Sequence, residues 1–143
     1  MAKTFHAQVS EHVANYERRM LATFRGSTQD LAEEVTRPVA KGGRMRVKTG
    51  FMRASLMAST SAMPYIDAGA RPPSTAGDNS FDLNDSEIIL TIAGAQLGQT
   101  IFLGFTASYA GYREALDAFV ATAAQRWPDI VRVNAAKAMA RYR

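Results

Sequence analysis

The chain has no cysteine. That absence excludes disulfides, thiolate zinc sites and cysteine nucleophiles, so stability must come from packing or from partner subunits. Histidine is scarce: His6 and His12 are the two present. Six apart on a helix, they do not share a face as an i, i+4 metal pair would, and no carboxylates cluster beside them. They read as solvated helix residues. Long apolar runs are missing as well. Nothing approaches the roughly 18 residues that span a bilayer, so no membrane association is expected. The segment Met1-Ala2-Lys3-Thr4-Phe5-His6 lacks the apolar stretch and cleavage site of a signal peptide. The expectation is a protein made and kept in a cytoplasm, or built into a particle there.

Chemical motifs are equally sparse. No Gly-x-Ser-x-Gly elbow occurs, and no serine stands beside a histidine in a nucleophile context. Gly94, Gly98 and Gly104 make neither a dinucleotide fingerprint nor a phosphate loop, because no Gly-Lys-Ser/Thr comes after them. Asp78, Asp82, Asp85 and Glu87 miss the register of a calcium loop and read as a solvated loop. The expectation is no enzyme, no metal and no cofactor.

Acids are absent from one long stretch. Between Glu34 and Asp67 there are none, while Lys41, Arg44, Arg46, Lys48 and Arg53 all fall there. Net charge is +4, and acids gather in 78–87 as Asp78, Asp82, Asp85 and Glu87. A basic face can hold nucleic acid without regard to sequence. Two patches of opposite sign can instead join identical subunits head to tail. The presence of both signs favours the protein contact. Arg44, Arg46 and Lys48 alternate with Met45 and Val47, as in an edge strand or extended arm with one charged face.

What remains reads as one domain over 1–143, with 47% hydrophobic residues to build a core. Phe5, Val9, Val13, Tyr16, Met20 and Phe24 recur at helical spacing and predict a buried stripe, against a sheet or a neighbouring subunit. Gly26-Ser27 offers a break, with Ser27 and Asp30 able to cap the next helical turn, so the region up to Pro38 is one bent helix or two. Lys41-Gly42-Gly43-Arg44 reads as a flexible connector. Thr49 can cap a short helical turn entered through Gly50. Strands are expected over 54–63, 87–93 and 99–105, the last two as a hairpin, and a mobile loop over 69–85. From Leu116 on, Phe119, Val120, Ala123, Ala124 and Trp127 predict a helix, and Pro128 either kinks it or begins a new one. The fold class expected is α+β: a long N-terminal helix and a C-terminal helix on a small, mainly antiparallel sheet of about three to five strands.

Three segments carry a resemblance. They are Val47-Lys48-Thr49-Gly50-Phe51-Met52-Arg53-Ala54-Ser55, Gly104-Phe105-Thr106-Ala107-Ser108-Tyr109-Ala110-Gly111-Tyr112, and Phe119 through Trp127. In this order, behind a long first helix, they resemble the neck or tail-completion proteins of long-tailed bacteriophages, the family related to minor tail protein Z. In one respect the chain departs from that family. Glu114 runs through Ala115-Leu116-Asp117 straight into the last helix, without the aromatic and Gly-Thr or Gly-Ser loop usual after the glutamate. The resemblance implies a structural virion protein forming a homo-oligomeric ring at the head–tail junction, hexameric to match a six-fold tail tube. Its partners would be other neck and tail proteins (stopper, terminator, tail tube), with non-specific contact to passing DNA. It also implies that Thr49, Gly50, Tyr109, Ala110, Tyr112 and Glu114 serve architecture. Thr49 and Gly50 would set the turn into the sheet, and Tyr109 and Tyr112 would anchor the sheet-to-helix corner.

Overall fold

Residues 2–143 are described by a computed structural model of the chain. Thr4 opens the first helix, its hydroxyl accepting from the Ala7 amide at 3.1 Å. Helix α1 then runs unbroken over Phe5–Thr36. Gly26-Ser27 is therefore no break, and Ser27 and Asp30 cap nothing. Gly26 serves a different purpose: a Cβ there would lie 2.4 Å from Asn134 Oδ1. Its missing side chain lets the last helix approach.

The chain leaves α1 at Pro38 and folds back tightly. Met45 donates to Arg37 O (3.4 Å) and accepts from Val39 N (3.0 Å), and Gly43 N donates to Pro38 O (2.9 Å). The 41–44 stretch is thus the tip of a hydrogen-bonded loop rather than a free connector. A short helix α2 (Phe51–Ala54) leads into strand β1 (Leu56–Ser59). After a long irregular segment comes helix α3 (Ser86–Gly94), then strand β2 (Phe102–Phe105). Three helices finish the chain: α4 (Ala110–Asp117), α5 (Phe119–Gln125) and α6 (Trp127–Arg141). Pro128 sits in the first turn of α6, the second of its two expected roles.

The architecture is α+β, with a two-stranded antiparallel sheet in place of three to five strands. Leu56 pairs with Phe105 and Ser59 with Phe102. The expected strand at 87–93 is helical, so the expected hairpin with 99–105 does not form, and 102–105 pairs instead with 56–59. The reason is readable in α3 itself. Asn84 Oδ1 accepts from Ser86 N at 3.1 Å, and Glu87 lies in the first turn. Ile88 and Ile92, four apart, are buried, while Ile89 and Leu90 are exposed. One helical stripe, rather than β-branched content, decides the segment. Arg25 then closes the far end, donating from Nε and Nη2 to Ala95 O at 3.0 and 2.8 Å.

The core lies between the C-terminal half of α1, the sheet and α5. It joins Ala32, Val35, Met45, Met52, Leu56, Ile88, Ile92, Phe105, Phe119 and Ala123. Phe105 meets Phe119 edge to face, with centroids 5.3 Å apart. The N-terminal stripe of α1 takes no part. Phe5, Val9, Val13, Tyr16 and Met20 are exposed, and Phe24 is half-buried. Burial of that stripe against the sheet does not occur. The predicted C-terminal stripe is buried at Phe119 and Ala123, with Val120, Ala124 and Trp127 exposed.

Candidate functional site

The two strongest motifs meet in space. Gly50 has φ +87, and a Cβ there would fall 2.0 Å from the Phe81 carbonyl, so glycine is required twice over. Thr49 Oγ1 accepts from Phe51 N at 3.2 Å and starts α2, as its position before the glycine suggests. Phe51 projects between two rings: Phe81 edge-on at 5.2 Å and Tyr109 stacked at 6.5 Å. Burial pushes the Tyr109 phenol above the usual tyrosine range, with the nearby Met52 backbone and Thr49 side chain pulling the other way. Tyr109 thereby packs against the Thr49–Met52 turn through the Phe51 ring. This hub was not legible as a cluster, because Phe81 lies in a segment that reads as loop.

Beside the hub opens a cleft of about 670 Å³. Arg46, Lys48, Arg53 and Arg113 line it with Thr49, Tyr109, Pro72 and Pro73. The cations are differently engaged. Arg53 Nε donates to Thr36 O at 2.8 Å and closes the end of α1. Arg113 donates to Asp117 Oδ2 from Nε at 3.0 Å and Nη2 at 2.5 Å, and Arg46 reaches the same carboxylate at 3.6 Å. Asp117 is nearly buried and held by Arg113 within α4, with exposed Arg46 adding only a long ion pair from the basic segment. Lys48, Lys41 and Arg44 make no ion pair among the described residues. Arg113 and Asp117 escaped the motif reading, although their i, i+4 spacing was available to it.

The alternation in 44–48 holds: Arg44, Arg46 and Lys48 are exposed, Met45 is fully buried and Val47 packs on the core. The segment is an anchored ribbon with a charged outer face. Lys41 and Arg44 sit on the loop tip and do not line the cleft. Asp78, Asp82 and Asp85 are exposed. Within the same subunit, Asn79 N donates to Lys48 O (2.7 Å) and Phe81 N to Thr49 O (2.8 Å). The basic and acidic segments therefore run side by side on one flank, which argues against their facing each other across a head-to-tail contact. The same bonds pin the end of the 69–85 loop.

Glu114 has a clear structural role. Its Oε2 accepts from Val120 N at 2.7 Å and its Oε1 from Ala121 N at 3.0 Å, capping α5 across the left-handed Ala118 (φ 53). Ala110 is buried at the start of α4. Tyr112 is 67% exposed and anchors no corner. Among the described residues no three histidine or carboxylate side chains gather as metal ligands, and no helix is long and apolar enough to cross a membrane. The cleft offers charge, a hydroxyl and apolar walls, without a paired nucleophile and base. Comparison of the chain with protein-family models, curated proteins and solved structures finds no match.

Proposed function

We propose that the chain is a structural virion protein of a long-tailed phage neck. It would form a homo-oligomeric ring, hexameric to match the tail tube, at the head–tail junction or the head-proximal end of the tail, and join or complete the tail there. The observation that carries this reading is the meeting of Phe51 and Tyr109. Two of the three segments behind the resemblance lie far apart in sequence, and in space they form one packed hub. Glu114, which the resemblance also assigns to architecture, is spent on capping a helix. Residues committed to framework in this way suit a joining piece, whose work is to hold shape between neighbours. Stopper, terminator and tail-tube proteins are the partners this reading supplies.

The test is an image reconstruction of the tailed particle whose genome encodes the chain. Density for a ring of this fold at the neck or the top of the tail is the expected result. Tailed, infectious particles assembled without the chain would overturn the reading.

The cleft favours a second reading, a module that binds DNA without regard to sequence through Arg46, Lys48 and the exposed Lys41 and Arg44. Steeply salt-dependent binding to generic duplex, abolished by Arg44→Glu with Arg46→Glu, would support it. The framework reading expects binding that is weak and already lost at moderate salt, and expects the same double variant to remain folded.

A further inference from the structure

Helices α1 and α6 lie antiparallel. Arg19 Nε donates to Tyr142 O at 2.5 Å, Gly26 faces Asn134, and Glu34 pairs with Arg126 at 3.1 Å. Cover from α6 therefore ends near Arg19. The preceding turns of α1, from Phe5 to Arg18, project as an arm about 21 Å long. A helix of that length is marginal in water on its own. Its apolar stripe is nevertheless bare: Phe5 is 82% exposed, Tyr16 61%, Val13 50% and Val9 42%. With Met20 at the base, the exposed apolar area comes to roughly 500–600 Å², at the upper end of what a monomer shows and about two thirds of one partner's share of a standard interface.

At the other end of the molecule lies an open apolar groove of about 340 Å³. Met63, Tyr65 and Ile66 line it together with Phe119 and Val120 of α5, and Glu114 of α4 is the one charged residue in the lining. Tyr65 is 82% exposed. Phe119 and Ala123 share a core cluster with Ala32 and Val35, so the groove belongs to the C-terminal half of α1, far from the arm.

We infer that the arm of one copy lies in the groove formed by residues 63–66 and α5 of a second copy. Each chain then presents an apolar projection at one end and an apolar recess at the other. This is the self-complementary but unlike pair that a head-to-tail contact needs, and repeating it closes a ring if the rotation allows. The inference deepens the ring reading above and rests on it. It supplies the contact that the basic and acidic segments, lying on one flank, do not. Apolar area of this size can carry the association, leaving charges to set register and rate.

The cysteine-free chain makes the test direct. Val9→Cys and Val120→Cys, made as separate single variants, are mixed and treated with a short bis-maleimide. The expected result is a cross-linked dimer containing one of each, and a ladder ending in a closed oligomer from the double variant. Val9→Cys linking to itself as readily as to Val120→Cys would mean that arms pair with arms, and would overturn the inference. So would a wild-type oligomer that yields no Val9–Val120 product, an outcome that leaves the ring reading standing. A second readout is independent of chemistry. Val9→Asp with Val13→Asp should weaken association at least tenfold by light scattering, with the melting temperature of the dissociated chain unchanged, since both side chains are solvent-exposed within one chain. Wild-type protein that stays monomeric at about 100 µM, well above the micromolar range, would overturn the contact. Cross-linking as expected, together with tailed particles that lack the chain, would retain the contact and remove the neck assignment.

Discussion

The two halves of α1 invert what their sequences suggest. The N-terminal half has the cleaner apolar stripe, and that stripe is exposed. The C-terminal half buries Ser27, Thr28, Ala32, Val35 and Thr36. Small and polar residues are inside because α6 approaches closely there, over Gly26, and because the threonines satisfy themselves locally. Thr28 Oγ1 donates to Phe24 O and Thr36 Oγ1 to Ala32 O, both at 2.8 Å. Asn134 of α6, also buried, donates to Asp30 Oδ2 at 2.8 Å and to Ile130 O at 2.9 Å. Periodicity identifies a face that wants cover; which element supplies the cover is a separate matter. Close approach between helices is signalled by small residues rather than large ones.

That contrast can be broken most sharply at Gly26. Gly26→Leu places a side chain into Asn134, whose amide is already engaged, and should cost about 3 kcal/mol, the upper part of the usual overpacking range. Urea unfolding measures it, and a cost below about 1 kcal/mol would show that α6 yields easily. Next in size is Val35→Ala, which empties a site in the core cluster and should cost about 2 kcal/mol by the same measurement. Phe24→Ala tests the boundary between the halves. Phe24 is half-buried rather than core, so its loss should cost about 1–2 kcal/mol, less than the 3–5 of a fully buried phenylalanine. The smallest effect belongs to the arm: Val13→Ser should change the stability of the dissociated chain by under about 0.5 kcal/mol. A larger change, measured below the concentration of self-association, would mean the arm is covered within the chain.

Much of the fold was legible because it rests on local signals. The long first helix, the turn at Thr49-Gly50, a strand near 56–59 and another near 102–105, and the helix start at Pro128 can all be read from spacing, caps and breakers. The register of the sheet was not legible. The two strands that pair are separated by a helix and a long loop, and nothing local says that Leu56 faces Phe105. Residues 86–94 misled because isoleucine and threonine favour strands, while burial of Ile88 and Ile92 on one face demanded a helix. At the candidate site, Thr49, Gly50 and Tyr109 stood out as motif residues. Phe81, Arg113 and Asp117 did not, since their roles exist only once the loop and α4 have been brought against the basic ribbon.

Helix α1 spans about 48 Å as one uninterrupted rod, with its cover gathered at one end. Such a rod is a lever. A tilt of about 10° at its seat on α6 would sweep the tip of the arm by roughly 4 Å, about the width of a methyl group, with no bond in the arm itself disturbed. Neighbouring bodies could then adjust their spacing by several ångströms while each arm kept its grip. A ring built this way would tolerate mismatch in diameter with the pieces above and below it, and stiffening the seat around Gly26 would remove that tolerance before it removed the ring.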